Sequence, residues 1–154
     1  MKHSLLTLIT LAAATAAHAD GFVCQSQEGL RIKAYNHTSP EAGTRVAAIL
    51  VLSDDNVAAG NKTIATFSDS QQTLTSRGAS YSADVDLRFA TSSRKGELIA
   101  GTKLGQLQSI ELNVDFSYAA PVEAGEVLPG SLVLTKRNGQ AIEVEVSCER
   151  YLKN

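Results

Sequence analysis

The chain has 154 residues, 44% of them hydrophobic, with 14 Lys and Arg against 16 Asp and Glu for a formal net charge of −2. That balance holds no basic footprint for a nucleic acid, and the length suits one domain with its own core. Two cysteines, three histidines and no tryptophan leave few metal ligands and few aromatic platforms.

Lys2 and His3 precede an apolar run over residues 5–17, and Ala17-His18-Ala19 stands before Asp20. This is the charged start, short apolar core and small-x-small ending of a secretory signal peptide, and the run is too short for a membrane-spanning helix. We therefore expect residues 1–19 to be removed and residues 20–154 to form a single β domain, periplasmic or secreted, with no membrane span after cleavage. Without Lys2 the remaining balance is 13 bases against 16 acids, a net charge of −3. In an oxidising compartment Cys24 and Cys148 are expected to pair, closing nearly the whole domain into one loop. Chain entropy assigns such a closure about 4 to 5 kcal/mol.

After Cys24, Leu30, Ile32 and Ala34 alternate with Arg31, Lys33 and Tyr35, which predicts a first long strand ended by residues 36–43 with Pro40 as a breaker. Residues 45–52 are nearly all apolar, consistent with a buried strand or a short helix; the interruption at Gly43-Thr44 favours the strand. Residues 62–67 read as a short strand. A Ser-, Thr- and Gln-rich passage runs from there to Gly78, with a minor strand at residues 72–75.

Residues 80–89 place Tyr81, Ala83, Val85, Leu87 and Phe89 on one face, against Ser82, Asp84, Asp86 and Arg88 on the other. Residues 109–118 repeat the pattern with Ile110, Leu112, Val114, Phe116 and Tyr118. Period-two alternation of this length argues for strands. A short strand is expected at residues 97–101. Two last strands contain Leu132 and Leu134, then Ile142, Val144, Val146 and Cys148, joined through Asn138-Gly139. A two-residue turn there would set Leu134 against Glu143. A three-residue loop sets Leu134 against Ile142 and Leu132 against Val144, keeping both apolar rows on one face. The expected turn is type I with Gly139 left-handed in a G1 bulge, and positive φ at both Asn138 and Gly139 would refute it.

Seven to nine strands without an amphipathic helix indicate an antiparallel all-β fold, a barrel in preference to a sandwich. If the strand after Cys24 pairs with the strand entering Cys148, Arg31 and Lys33 would face Glu143 and Glu145 outside.

The chemistry such a domain could carry is narrow. His3 and His18 leave with the leader, and His37 falls between strands with no nucleophile elbow near it, so neither a zinc site nor a Ser-His-Asp arrangement is expected. Asp84 and Asp86 stand about 6.5 to 7 Å apart along a strand, near the spacing of an inverting glycosidase pair, but beside Arg88 they read as a solvated ladder. Ser53-Asp54-Asp55-Asn56 lacks the spaced ligands of a calcium loop. Residues 101–105, Gly-Thr-Lys-Leu-Gly, are not a phosphate-binding loop because Lys103 precedes the second glycine, and they read as a hairpin turn. Asn36-His37-Thr38 and Asn61-Lys62-Thr63 match the glycosylation pattern by chance in a chain with a bacterial-looking leader. We expect no cofactor, no metal and no catalysis, and a role in binding an as yet undefined protein or small ligand.

Cys24 before a basic strand, Gly78-Ala79-Ser80-Tyr81, Lys95-Gly96-Glu97 and a late Cys148 together resemble the bacterial C-type lysozyme inhibitors, small exported β-barrels that plug a lysozyme cleft. That family's loops read Ser-Gly-x-x-Tyr and Lys-Gly-Asp or similar. Here Arg77 stands at the serine position, the tryptophan near the second loop is missing and the interval from Tyr81 to Lys95 is longer. The resemblance implies a partner-binding role for Lys95, and for Arg77 in place of the serine. Independently, Arg94, Lys95 and Lys103 flank the polar connections between the best strands and are candidate partner contacts. A structural component of an envelope assembly is a further reading.

Overall fold

A computed structural model describes residues 19–38, 45–53, 62–86, 93–116 and 125–153. Residues 1–18 of the expected leader, Ser39-Pro40, Asp54 to Asn61, Leu87 to Phe89 and Tyr118 lie outside the described residues, while Ala19 is already part of the first strand.

Ten strands form. In chain order they are β1 (Ala19–Gln25), β2 (Leu30–Thr38), β3 (Arg45–Ser53), β4 (Lys62–Leu74), β5 (Gly78–Asp84), β6 (Leu98–Ile99), β7 (Thr102–Lys103), β8 (Leu107–Asp115), β9 (Val127–Lys136) and β10 (Ala141–Lys153). Eight of them close an antiparallel barrel in the order β1-β10-β9-β8-β5-β4-β3-β2, while β6 and β7 make a separate ribbon. The barrel reading holds, and closure removes the exposed edges that a sandwich would leave. Each barrel strand lies beside the barrel strand next to it in the chain, and β1 with β10 closes the ring between the two ends of the described chain.

That pairing corrects the expected seam. The strand after Cys24 is not the first: residues around Cys24 form β1, which pairs with both β10 and β2. Arg31 and Lys33 therefore lie one strand away from β10 and do not face Glu143 and Glu145 across a ladder. The cause is a turn at Gln27-Glu28-Gly29, where the Ser26 amide donates to Leu30 O at 2.9 Å, the Gly29 amide donates to Ser26 O at 3.3 Å and Gly29 has φ 84°. Cys24 and Cys148 are direct register partners with Cα atoms 3.9 Å apart, and their sulfurs are bonded.

The same loop geometry recurs between β9 and β10, as the burial parity requires. Ile142 pairs with Leu134 and Val144 with Leu132. The Gly139 amide donates to Lys136 O at 2.9 Å, the Lys136 amide donates to Gln140 O at 2.8 Å, and Gly139 is left-handed at φ 87° while Asn138 is not among the positive-φ residues. The Asn138 side-chain oxygen accepts from the Gln140 amide at 3.0 Å, which stabilises the turn locally.

Three other expectations change. β2 runs on to Thr38, so His37 belongs to a strand, in register with Val46. The short strand at residues 62–67 and the polar passage after it are one 13-residue strand, β4, whose pairing with β3 shifts at two irregularities. Each shift changes which parity faces inward, so Ile64, Ala65, Phe67 and Ser70 are all buried and no single alternation survives. The strand expected at residues 97–101 shortens to β6, with residues 100–101 forming the turn into β7.

β3 is a strand, and its unbroken apolar sequence has a reason. Ile49 and Val51 face the core with no exposure, while on the opposite parity Ala48 and Leu52 are only 1% and 6% exposed and Leu50 is half-buried, so the second face is largely covered as well.

Inside the barrel, Phe22 on β1 meets Tyr81 on β5 edge to face, with ring centroids 6.3 Å apart, and lies 5.9 Å from Phe116. β1 and β5 are four places apart in a ring of eight, on opposite walls. Ring contact across that span means side chains fill the bore at this level, as small barrels allow. The Tyr81 hydroxyl accepts from Gln72 Nε2 at 2.8 Å, and Gln72 Oε1 accepts from Asn36 Nδ2 at 3.0 Å. Gly130 makes room for the disulfide: a Cβ there would stand 2.5 Å from Asn113 O and 3.0 Å from Cys148 Sγ.

A candidate binding surface at the plugged end

Because the barrel is a meander, the direction of each strand fixes the end at which every connection lies. The β1–β2 turn, residues 93–106 and the β9–β10 turn share one end; the β4–β5 turn and the outer ends of β1 and β10 share the other.

The elaborated connection is the one between β5 and β8, described over residues 85–86 and 93–106. From β5 the chain forms a 3₁₀ turn at Ser93–Gly96, then β6, β7 and a second 3₁₀ turn at Leu104–Gln106. In the ribbon Leu98 pairs with Lys103 and Ile99 with Thr102, leaving Ala100-Gly101 as a two-residue turn with φ of 48° and 76°. Positive φ at both central residues is the type I′ geometry, which Gly101 adopts freely and Ala100 at a cost of about 1 to 2 kcal/mol. The ribbon alternates as any strand pair does. Ile99 and Thr102 turn inward, and Ile99 joins Leu104 and Leu107, all without exposure, in the barrel core. The connection is thus a plug.

Arg137, in the β9–β10 turn, fastens it. Its amide donates to Gln106 O at 2.9 Å, and its guanidinium donates to Val85 O at 3.2 Å and Gly105 O at 3.4 Å. The Leu104 amide donates to Glu97 O at 2.8 Å across the ribbon. Both ends of the plug are therefore held by groups outside the ribbon tip.

The outward parity carries the display. Leu98 is 53% exposed, its register partner Lys103 is exposed, and Lys95 is exposed in the preceding 3₁₀ turn, which also contains Arg94. Beside the ribbon tip lies a notch of about 190 Å³ bounded by Glu28, Leu30, Ile64, Leu98, Ala100 and Val144.

Arg94 and Lys95 in the first 3₁₀ turn and Lys103 in β7 therefore belong to one connection, but Arg77 does not join them. It sits in the β4–β5 turn at the opposite end, exposed, beside a depression of about 390 Å³ shared with Asn113, Asp115, Pro129 and Ser131. The two loops linked by the lysozyme-inhibitor resemblance are separated by the length of the barrel. Asp84 and Asp86 are exposed, and Asp84 borders a side groove of about 210 Å³ with Ser82, Ser109 and Glu111. Among the described residues no group of three or more His, Cys, Asp or Glu side chains is placed to hold a metal ion, and no helix is long and apolar enough to cross a membrane.

Sequence reasoning missed Leu98 and Arg137. Leu98 lies in a two-residue strand too short for periodicity, and Arg137 acts through backbone oxygens distant in sequence, for which no motif exists.

Comparison with protein-family models, curated proteins and solved structures finds no match to this chain.

Proposed function

We propose that the chain is an exported, noncatalytic binding protein whose partner docks on the plugged end of the barrel. One observation carries the reading: an anchored ribbon buries Ile99 and Leu104 while leaving Leu98 exposed between Lys95 and Lys103. A rigid element that presents an aliphatic side chain beside its register partner Lys103 has already lost the conformational freedom that binding would otherwise cost. A partner suited to it offers an apolar contact bordered by carboxylates. The filled bore at Phe22 and Tyr81 favours a surface partner over a ligand held inside.

The resemblance to lysozyme inhibitors makes a lysozyme the first protein to try, with Lys95 as the contact and Arg77 excluded by distance from the same footprint. The test is a pull-down with disulfide-bonded residues 20–154 from envelope extract and from lysozyme mixtures, read by mass spectrometry. A stoichiometric partner retained by wild type and lost on Lys95→Glu or Leu98→Asp, with both variants folded by circular dichroism, supports the reading. A partner unaffected by either change moves the site elsewhere, and retention of no protein by wild type refutes it.

A further inference from the structure

The β9–β10 turn carries a reactive pair. Asn138 is the only asparagine of the chain that precedes a glycine, and both residues are exposed. The carboxamide carbon of an asparagine is an electrophile that the next residue's backbone nitrogen can reach by closing a five-membered ring. Glycine leaves that nitrogen unscreened, and nothing lies within 4 Å of the place a Cβ would take at Gly139. The hydrogen bonds of the turn act on both partners of the reaction. The Gln140 amide donates to Asn138 Oδ1 at 3.0 Å, which folds the carboxamide back over the turn and polarises its carbon as a donor in an oxyanion hole does. The Gly139 amide donates to Lys136 O at 2.9 Å, so the attacking nitrogen keeps its proton until that bond opens. One bond readies the electrophile while the other restrains the nucleophile.

We propose that Asn138 is a self-modification site whose conversion releases the plug. When the bond from Gly139 to Lys136 O opens, hydroxide takes the amide proton, the Gly139 nitrogen bonds to Asn138 Cγ, and the carboxamide nitrogen leaves as ammonia, giving a cyclic imide. Water then adds to either imide carbonyl. Opening at one gives an aspartate on the ordinary backbone; opening at the other gives an isoaspartate, whose main chain runs through the side-chain carbon and is one atom longer. Hydroxide and water are the only co-reactants. The added atom falls in a loop whose length sets the register of Leu134 with Ile142. It also falls next to Arg137, whose amide donates to Gln106 O and whose guanidinium donates to Val85 O and Gly105 O. Lengthening the chain there moves Arg137 off those oxygens, and the plug loses its fastening. This release requires no partner on the plug.

The experiment is incubation of the purified disulfide-bonded protein in mildly alkaline buffer, followed by peptide mass spectrometry with fragmentation that distinguishes aspartate from isoaspartate. Asn138 should convert at least tenfold faster than Asn113, which is half-buried in the β8 ladder and precedes Val114. Gly139→Ala, whose methyl group screens the nitrogen, should slow the conversion at least tenfold. The isoaspartate form, separated by ion exchange, should show amide exchange in residues 93–106 at least tenfold faster than the unreacted protein, with β1 and β10 unchanged. Asn138→Asp adds the charge without the extra main-chain atom and should keep wild-type protection in residues 93–106. Conversion of Asn138 no faster than that of Asn113 overturns the proposal. So does an isoaspartate form whose plug exchanges like that of the unreacted protein, or no faster than that of Asn138→Asp.

Discussion

Gly130→Ala adds one methyl group at the point where the β8–β9 ladder meets the disulfide. The new Cβ would lie 2.5 Å from Asn113 O, 3.0 Å from Cys148 Sγ and 3.3 Å from Val146 Cγ2. The closest of these is a backbone oxygen on a paired strand, which cannot swing aside as a side-chain tip can, so β8 and β9 must separate locally. Overpacking of this kind costs about 1 to 3 kcal/mol. For a domain of this size that corresponds to a fall in melting temperature of about 3 to 15 °C, measured by circular dichroism on the oxidised protein. Gly139→Ala serves as a contrast: nothing lies within 4 Å of its Cβ, but φ is +87°, so its cost of about 1 to 2 kcal/mol is conformational alone. Combining each with Cys148→Ala separates the causes. Because Asn113 O is nearer than Cys148 Sγ, most of the Gly130→Ala penalty should persist without the disulfide, and the Gly139→Ala penalty should not change. A Gly130→Ala protein within 0.5 kcal/mol of wild type would refute the steric argument, and complete relief on removing Cys148 would reassign it to the sulfur.

Replacing Cys24 and Cys148 together by Ala should lower stability by about 2 to 5 kcal/mol in urea unfolding, most of it from loop closure in the unfolded chain. Phe22→Ala should cost about 3 to 5 kcal/mol in the same assay, because it removes the ring that bridges opposite walls. Arg137→Met keeps the apolar stem but loses the guanidinium bonds to Val85 O and Gly105 O; amide exchange in residues 93–106 should quicken at least tenfold while strands β1 and β10 keep their protection. Asn138→Ala should cost only about 0.5 to 1.5 kcal/mol by thermal melting, since it removes a single exposed turn bond to the Gln140 amide.

The parts of this fold that were legible are those where one parity holds over many residues. Leu132, Leu134, Ile142 and Val144 fix the last hairpin because a slip of one residue would place Leu134 against Glu143, and the observed register keeps the four together. Ile110, Leu112 and Val114 identify β8 for the same reason. The reading failed where parity breaks or the run is short. Among its described side chains β1 offers only Phe22 and Cys24 as large apolar core positions, too few to show an alternating pattern. In β4 the irregularities bring Ile64, Ala65, Phe67 and Ser70 inward at unequal intervals, which resembles no strand template. The candidate site was half legible. Lys95 and Lys103 could be picked as cations in a polar connection, but that connection is a plug only because Ile99, Leu104 and Leu107 find the barrel end, a tertiary fact without a local signature.

The seam between β1 and β10 has a consequence for chain connectivity. Ala19 and Lys153 are register partners at one end of the barrel, so a short linker from 153 to 19 would follow the path of an ordinary hairpin turn. With the backbone then opened at Arg137-Asn138-Gly139, the circular permutant keeps every strand beside its present neighbours, and β9 and β10 exchange a turn for two free ends. Its disulfide, however, would no longer close a loop of 124 residues but one of little more than a dozen. The logarithmic dependence of closure entropy on loop length reduces the cross-link's contribution by about 2 kcal/mol. The bond would keep its place in the folded barrel and lose much of its hold over the unfolded chain.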